Sequence, residues 1–419
     1  MSQIKTIIDK SKLKPIRQAK PNWSDQGIDW PVYRVKISDL HYNEDNGRIA
    51  TWISTYTSNK DNKPLDSLTR EEFNDVLEGF IRKANKEETM KELINDIKKK
   101  TQLNPGVILT DGTIVSGNRR FTALRNLYRE NCDEKYEYFD CFIVDTPDTK
   151  DKFEFVKLIE TKTQFSVVTE QDYDPIDRLV TIYKYLIDPT TKIWSVKDYA
   201  KKIGIKERDA ENLYFRASIM VDYLKYINRP GEFHVARIQK LDGPIAELPN
   251  LYKQLIDTPK GRAEWNRIRP LFYSVFPPRK SKDDSKDRTR KVRSFKKMYN
   301  DNQSEFNALV AKLYAEAEKI TEKMKEGTTE HTEYIVTDSG AVQARVSLGD
   351  QTIQDAITAT QKQSARERPL KKAGAALSSL NEIETDIFSY MSKEEKDNLL
   401  KGLKEIEEKI NSLKNKLNH

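Results

Sequence analysis

Residues 108–127 read ILTDGTIVSGNRRFTALRNL, and the fold is decided by how this stretch turns. The apolar runs VILT (107–110) and TIV (113–115) flank Asp111-Gly112, a dipeptide suited to the positive-φ positions of a tight hairpin. Gly117-Asn118 turns the chain again, with Asn118 placed as N-cap of the helix RRFTALRNLYREN, 119–131. Phe121, Leu124, Leu127 and Tyr128 supply its apolar face. Arg119 and Arg120 then fall in the first turn, where the positive end of the helix dipole disfavours cations by roughly a few tenths of a kcal/mol. A bound anion would remove the conflict. Gly117 lets backbone approach a ligand closely, and the helix end with two guanidinium forks suits phosphate. The alternative is a pair of surface arginines neutralised by acids such as Asp111.

Working outward, WPVYRVKISDLHYNEDNGRIA (30–50) reads as a strand followed by a polar turn ending at Arg48. Residues 69–84 and 86–102 carry helical periodicity, with Phe73, Val76, Phe80 and then Met90, Leu93, Ile97 recurring every three or four positions. Both helices are expected to pack on a sheet. Asn104-Pro105-Gly106 breaks the second helix, and YFDCFIVD (138–145) reads as a buried strand. The first unit, 1–149, is therefore α/β.

This order of parts resembles the N-terminal domain of the ParB and sulfiredoxin-like superfamily: an Asn43…Arg48 box, an amphipathic helix, Asn-Pro, a hairpin, then G-N-R-R-x-x-A. The ParB motif is G-E-R-R-x-x-A, so Gly117, Arg119, Arg120 and Ala123 match while Asn118 replaces the acid. Downstream, LIETKTQFSVVTEQDYDPIDRL (158–179) resembles the ParB segment that begins Glu-Asn, with Glu160 at the Glu and Thr161 at the Asn. The resemblance implies a nucleoside triphosphate, CTP in ParB proteins with ATP left open here, held by Arg48, Gly117, Asn118, Arg119 and Arg120. It implies Mg2+ on Glu160, slow hydrolysis, and nucleotide-gated DNA association. A hard divalent cation favours carboxylate and phosphate oxygens, while arginines take the remaining phosphate charge.

ParB proteins carry a helix-turn-helix next, and residues 194–224 offer one within a helical segment, 150–275. Ser195 caps a first helix, Ala200 is small at the crossing, Gly204 makes the turn, and Ile203, Ile205, Ala210 and Leu213 pack. Lys206, Arg208, Asn212, Tyr214 and Arg216 are the expected DNA contacts. Glu207, Asp209 and Glu211 oppose phosphate, and a purely structural helical module is the alternative.

The run RKSKDDSKDRTRKVRSFKK (279–297) lies in a basic linker and helix, 276–325, able either to touch phosphates or to stay a solvated connector. Residues 326–370 read as a linker, since Thr, Ser, Gly and Gln lack sustained period. In 371–419, Ser392 and Glu395 form a capping box, and Leu403, Ile406, Ile410, Leu413 and Leu417 make a heptad seam. That seam would form a helical hairpin or a coiled-coil homodimer. The fold class is α+β overall.

Composition narrows the function. Charged residues are 33% and hydrophobic residues 37% of 419, with a net charge of +7, which permits a DNA partner. The start MSQIKTIIDKSKLK lacks a signal-peptide core, and no apolar run nears the ~18 residues of a membrane span, so a cytoplasmic protein with no membrane partner is expected. Cys132 and Cys141 are the only thiols and the four histidines are scattered, which excludes a zinc hydrolase or a Cys/His nucleophile. Two other functions stand beside the nucleotide-gated DNA binder. One is a nuclease or phosphotransferase using Glu44, Asp45 or Glu160 as base; the other is a regulator in a bacterial or phage DNA-modification or defence system.

Overall fold

The structure is a computed structural model and describes residues 6–21, 27–145, 154, 157–162, 174–277, 285–325 and 338–417. The chain divides into two units, Met1–Ile353 and Gln354–His419. The first holds a six-stranded mixed sheet: β1 (Arg17–Ala19), β2 (Trp30–Lys36), β3 (His41–Tyr42), β4 (Gly106–Leu109), β5 (Thr113–Ser116) and β6 (Tyr138–Val144), ordered β1-β2-β6-β4-β5-β3. β4 pairs antiparallel with β5 and parallel with β6, while β3 pairs parallel with β5.

The hairpin forms where Asp-Gly stands. Asp111 Oδ1 accepts from Thr113 N at 3.1 Å and from Thr113 Oγ1 at 2.6 Å, and Gly112 takes φ 85°. Asp111 thus serves the hairpin turn, and no ion pair between it and Arg119 or Arg120 occurs among the described residues.

Four helices cover the sheet region: α1 (Ala50–Ser58), α2 (Arg70–Lys83), α3 (Glu87–Lys100) and α4 (Asn118–Asn131). Thr69 and Glu72 form a reciprocal capping box that starts α2. Phe73, Leu77, Phe80 and Ile81 of α2 meet Phe121, Leu124 and Leu127 of α4 over Ile108, Ile114 and Phe139 of the strands. An ion network ties the same helices. The nearly buried Arg125 guanidinium bonds Glu71 at 3.0 Å, Asp75 at 2.7 Å and Glu78 at 3.0 Å. Asn118 is the first residue of α4 rather than its cap. Gly117 holds the cap position at φ 101°, a left-handed conformation open to glycine, and no side chain caps the helix.

Downstream lie α5 (Pro175–Ile182), α6 (Val196–Ile203), α7 (Glu207–Tyr226), α8 (Phe233–Ile238), α9 (Asp242–Ala246), α10 (Pro249–Ile256) and α11 (Pro259–Tyr273), then α12 (Ser285–Asp301) and α13 (Gln303–Lys325). α7 is the central rod, with Ala210, Leu213, Phe215, Ala217, Ile219, Met220, Tyr223 and Leu224 buried. The described part of the basic run belongs to a packed helix, α12. Its Arg288 is 2% exposed and donates to the carbonyls of Gln239 (2.8 Å) and Phe276, while Arg293 pairs with Glu247 at 2.6 Å. Residues 278–284 of that region lie outside the described residues.

Within the expected linker 326–370 the chain is helical from residue 338, where α14 runs from Asp338 to Asn381. Ala341, Ala344, Arg345, Ala356, Ala359 and Gln361 favour helix by intrinsic propensity, and the buried stripe of Ile353, Ala356, Ile357 and Thr360 is only two turns long, so a search for sustained period misses it. Residues 326–337 lie outside the described residues. In the second unit, α15 (Lys393–Leu417) starts at the expected capping box, with Ser392 N donating to Glu395 at 2.8 Å. Leu403, Ile406, Ile410, Leu413 and Leu417 are all exposed along it. No helix among the described residues is long and apolar enough to cross a membrane.

Candidate functional site

The hairpin delivers the first turn of α4 to the rim of a cavity of about 510 Å³. Arg48, Gly117, Asn118, Arg119 and Arg120 all line it, so the structure brings together the five residues named for phosphate from sequence. Arg17 and Lys20, from β1 and the residue after it, add two further cations that sequence reasoning missed. Asn46, Asn85, Thr89, Asn104 and Ser116 supply neutral polar groups, and Ile81, Leu93, Val107, Val115 and Phe142 supply an apolar wall. Among the described lining residues there is no carboxylate.

Two close backbone approaches meet the Phe139 ring beside Gly117. A Cβ on Gly117 would lie 2.9 Å from Phe139 Cζ, and one on Gly106 would lie 2.3 Å from the same atom. The Phe139 ring therefore fills the space that two side chains would take.

The arginine pair divides its roles. Arg120 Nη1 donates to the Pro105 carbonyl at 3.0 Å and to the Asn104 carbonyl, clamping the Asn-Pro turn to α4. Burial, with the Arg119 charge beside it, pulls the Arg120 pKa down to about 10, which leaves it cationic at neutral pH. Arg119 is half-buried, and its guanidinium makes no hydrogen bond or ion pair among the described residues. On the opposite rim, Asn46 Oδ1 accepts from Arg48 N at 3.1 Å and fixes the turn that presents Arg48. Asn118 Oδ1 is buried without a hydrogen-bond partner among the described residues.

Glu160 is not part of this cavity. It sits in the helical stretch 157–162, 1% exposed, accepting from Lys157 Nζ at 3.2 Å, Asn43 Nδ2 at 3.4 Å and Tyr185 OH at 3.5 Å. Burial raises its pKa, and the Lys157 charge acts against that rise. Lys157 also lies 3.7 Å from Asp45 Oδ2, and Lys184 lies 3.2 Å from Asp45 Oδ1. Glu44, Asp45 and Glu160, the acids named as general-base candidates, are all absent from the cavity wall. Among the described residues no group of three or more His, Cys, Asp or Glu could hold a metal. Lys157 was detectable in sequence by its i,i+3 spacing to Glu160.

The helix pair α6–α7 forms as the spacing expected. Ser195 Oγ accepts from Asp198 N at 3.1 Å, Gly204 takes φ 76° at the turn, and Ala200 and Ala210 are buried where the helices meet. Lys206, Arg208 and Asn212 are exposed around the start of α7. Arg216 is diverted: its guanidinium pairs with Asp242 of α9, beside the buried Phe215 and Ala217 of α7. Tyr214 is half-buried, edge-on to Phe215, and Glu211 is neutralised by Lys253 at 2.6 Å.

No family model matches the chain, and no curated protein matches it. Two solved structures similar to it are of ParB proteins. A Pnob8-like ParB-N domain aligns over 63% of this chain and 97% of its own, at 11% identity and a TM-score of 0.34. The C-terminally truncated chromosome-partitioning protein ParB from Caulobacter crescentus, complexed to the centromeric parS site, aligns over 54% of this chain and 91% of its own, at 14% identity and a TM-score of 0.26.

Proposed function

We propose that the chain is a ParB-like DNA-binding protein whose cavity takes the polyphosphate of a nucleoside triphosphate and thereby gates its association with DNA. The observation that carries this is the wall of Arg17, Lys20, Arg48, Arg119 and Arg120 with no carboxylate among the described lining residues. Five like charges around one concavity repel each other, and a polyanion relieves that repulsion while filling the volume. The apolar side of the cavity accommodates a base and ribose without dictating which base, so CTP and ATP remain equal probes.

DNA contact is assigned to Lys206, Arg208 and Asn212 at the exposed start of α7, with phosphate attraction as the main term. A packed route links the two places. Arg48 leads directly into α1, whose Thr51 N donates to Asp177 of α5 at 2.8 Å and whose Ser54 Oγ donates to the Gly231 carbonyl at 3.0 Å. α5 in turn packs on α7. The exposed seam of α15 is assigned to pairing with a second copy of the chain.

The test is isothermal titration with CTP and with ATP, alongside DNA binding by fluorescence anisotropy with and without nucleotide. The wild type is expected to bind nucleotide and to change its DNA affinity on doing so; Arg119→Ala is expected to lose both responses. Unchanged nucleotide affinity in Arg119→Ala would reject the site.

A further inference from the structure

A divalent cation on Glu160 is part of what the resemblance implies, and the donor set does not fit it. Magnesium in nucleotide sites is held by one or two carboxylates together with substrate phosphates and water. Here the Glu160 carboxylate is 1% exposed, lies outside the cavity wall, and already receives Lys157 Nζ at 3.2 Å. The same ammonium lies 3.7 Å from Asp45 Oδ2, so Lys157 stands between the two carboxylates that could otherwise share a metal. A metal there would have to displace a lysine whose side chain is 6% exposed. Such a displacement leaves a buried ammonium without its compensating charge.

Resting on the polyphosphate reading above, we infer that this cavity binds its polyphosphate as the free anion, with no protein-held divalent cation. Arg17, Lys20, Arg48, Arg119 and Arg120 supply the positive charge that magnesium supplies elsewhere, and Lys157 fills the acidic niche formed by Glu160 and Asp45. Guanidinium groups suit this task because a planar fork can bond phosphate oxygens and keeps its charge at neutral pH. Arg119 can offer that fork, while Arg120, held on the Asn104 and Pro105 carbonyls, and Arg17, which donates to the Leu103 carbonyl at 2.6 Å, add positive charge. Free magnesium then competes with the chain for the same phosphate oxygens and should weaken binding.

The experiment is calorimetric titration of the full chain with inorganic tripolyphosphate and with CTP, once with chelator and once with excess magnesium. Binding in chelator is expected to equal or exceed binding in magnesium. Glu160→Gln and, separately, the partly exposed Asp45→Asn are expected to leave affinity within about threefold in both buffers, while Arg119→Ala weakens it by about tenfold or more in both. Wild-type binding about tenfold or more weaker in chelator would overturn the inference and leave the polyphosphate site standing. A loss in Asp45→Asn or Glu160→Gln confined to the magnesium buffer would overturn it too, with circular dichroism showing both variants folded. No wild-type binding in either buffer would reject the polyphosphate site itself, and the inference with it.

Discussion

Arg120 Nη1 donates to the Pro105 carbonyl at 3.0 Å, so one of the two arginines that open α4 is spent holding the turn before β4. Arg119 has no such partner among the described residues. Replacing Arg120 by Ala should cost about 1.5–3 kcal/mol of stability, the range for hydrogen bonds from a charged group. Replacing Arg119 should change stability by less than about 0.5 kcal/mol and act on tripolyphosphate affinity instead. Urea unfolding set beside calorimetric titration separates the two effects. Equal stability losses in both variants would contradict this division of roles.

Gly117 should not tolerate a side chain. Its φ of 101° is strained for any L-residue, and the added Cβ would lie 2.9 Å from Phe139 Cζ. Gly204 has a comparable φ of 76° but nothing within 4 Å of the built Cβ. Gly204→Ala should therefore cost about 1–2 kcal/mol from backbone strain alone. Gly117→Ala should cost more, on the order of 3 kcal/mol, since a packed ring must also move. Thermal melts of the two variants check the ranking.

Asp177 gives the fold a pH dependence of definite sign. Burial pushes its pKa up to about 7, although Thr51 N donates to its Oδ1 at 2.8 Å. The folded state then holds a proton that the unfolded state, with a carboxylate pKa near 3.9, has released. Stability from this group is complete below about pH 4 and falls as pH rises toward 7. Asp177→Asn keeps the acceptor for Thr51 N and cannot ionise. The difference in melting temperature between variant and wild type should grow in the variant's favour from pH 4.5 to pH 8, and a flat difference would refute the assignment.

For DNA, the exposed start of α7 is expected to matter and its paired middle is not. Lys206→Ala and Arg208→Ala should each weaken binding across sequences and lower the slope of log affinity against log salt by about 1. Arg216→Ala should leave that slope unchanged and instead lower thermal stability, because it breaks the pair with Asp242. Anisotropy titrations at several salt concentrations read the slopes.

Sequence reasoning reached the elements whose period or turn chemistry is local. The Asp111-Gly112 hairpin, the helices around Phe73, Ile97 and Phe121, and the Ser195–Gly204 helix pair all stand where spacing put them. It missed β1 and β3, which are three and two residues long and have no room for alternation. It also missed what long-range contacts decide. Nothing local announces that Arg120 will bond backbone carbonyls, that Arg17 and Lys20 will reach the same cavity, or that Asp242 will claim Arg216. Glu160 was placed by analogy of order, and its closed ion pair with Lys157 is a property of packing.

The shortest strand has a consequence for assembly. β3 joins the sheet by pairing with β5, and its His41 Nε2 lies 3.0 Å from the Thr113 hydroxyl across 72 positions of chain. Closing so long a loop for two residues of ladder is entropically unfavourable early in folding. The edge carrying Asn46 and Arg48 is thus expected to dock late in folding, and low φ-values at His41 and Tyr42 would check this. A ligand that grips Arg48 acts on that final docking, and it holds the finished molecule by mass action rather than by guiding its earlier steps.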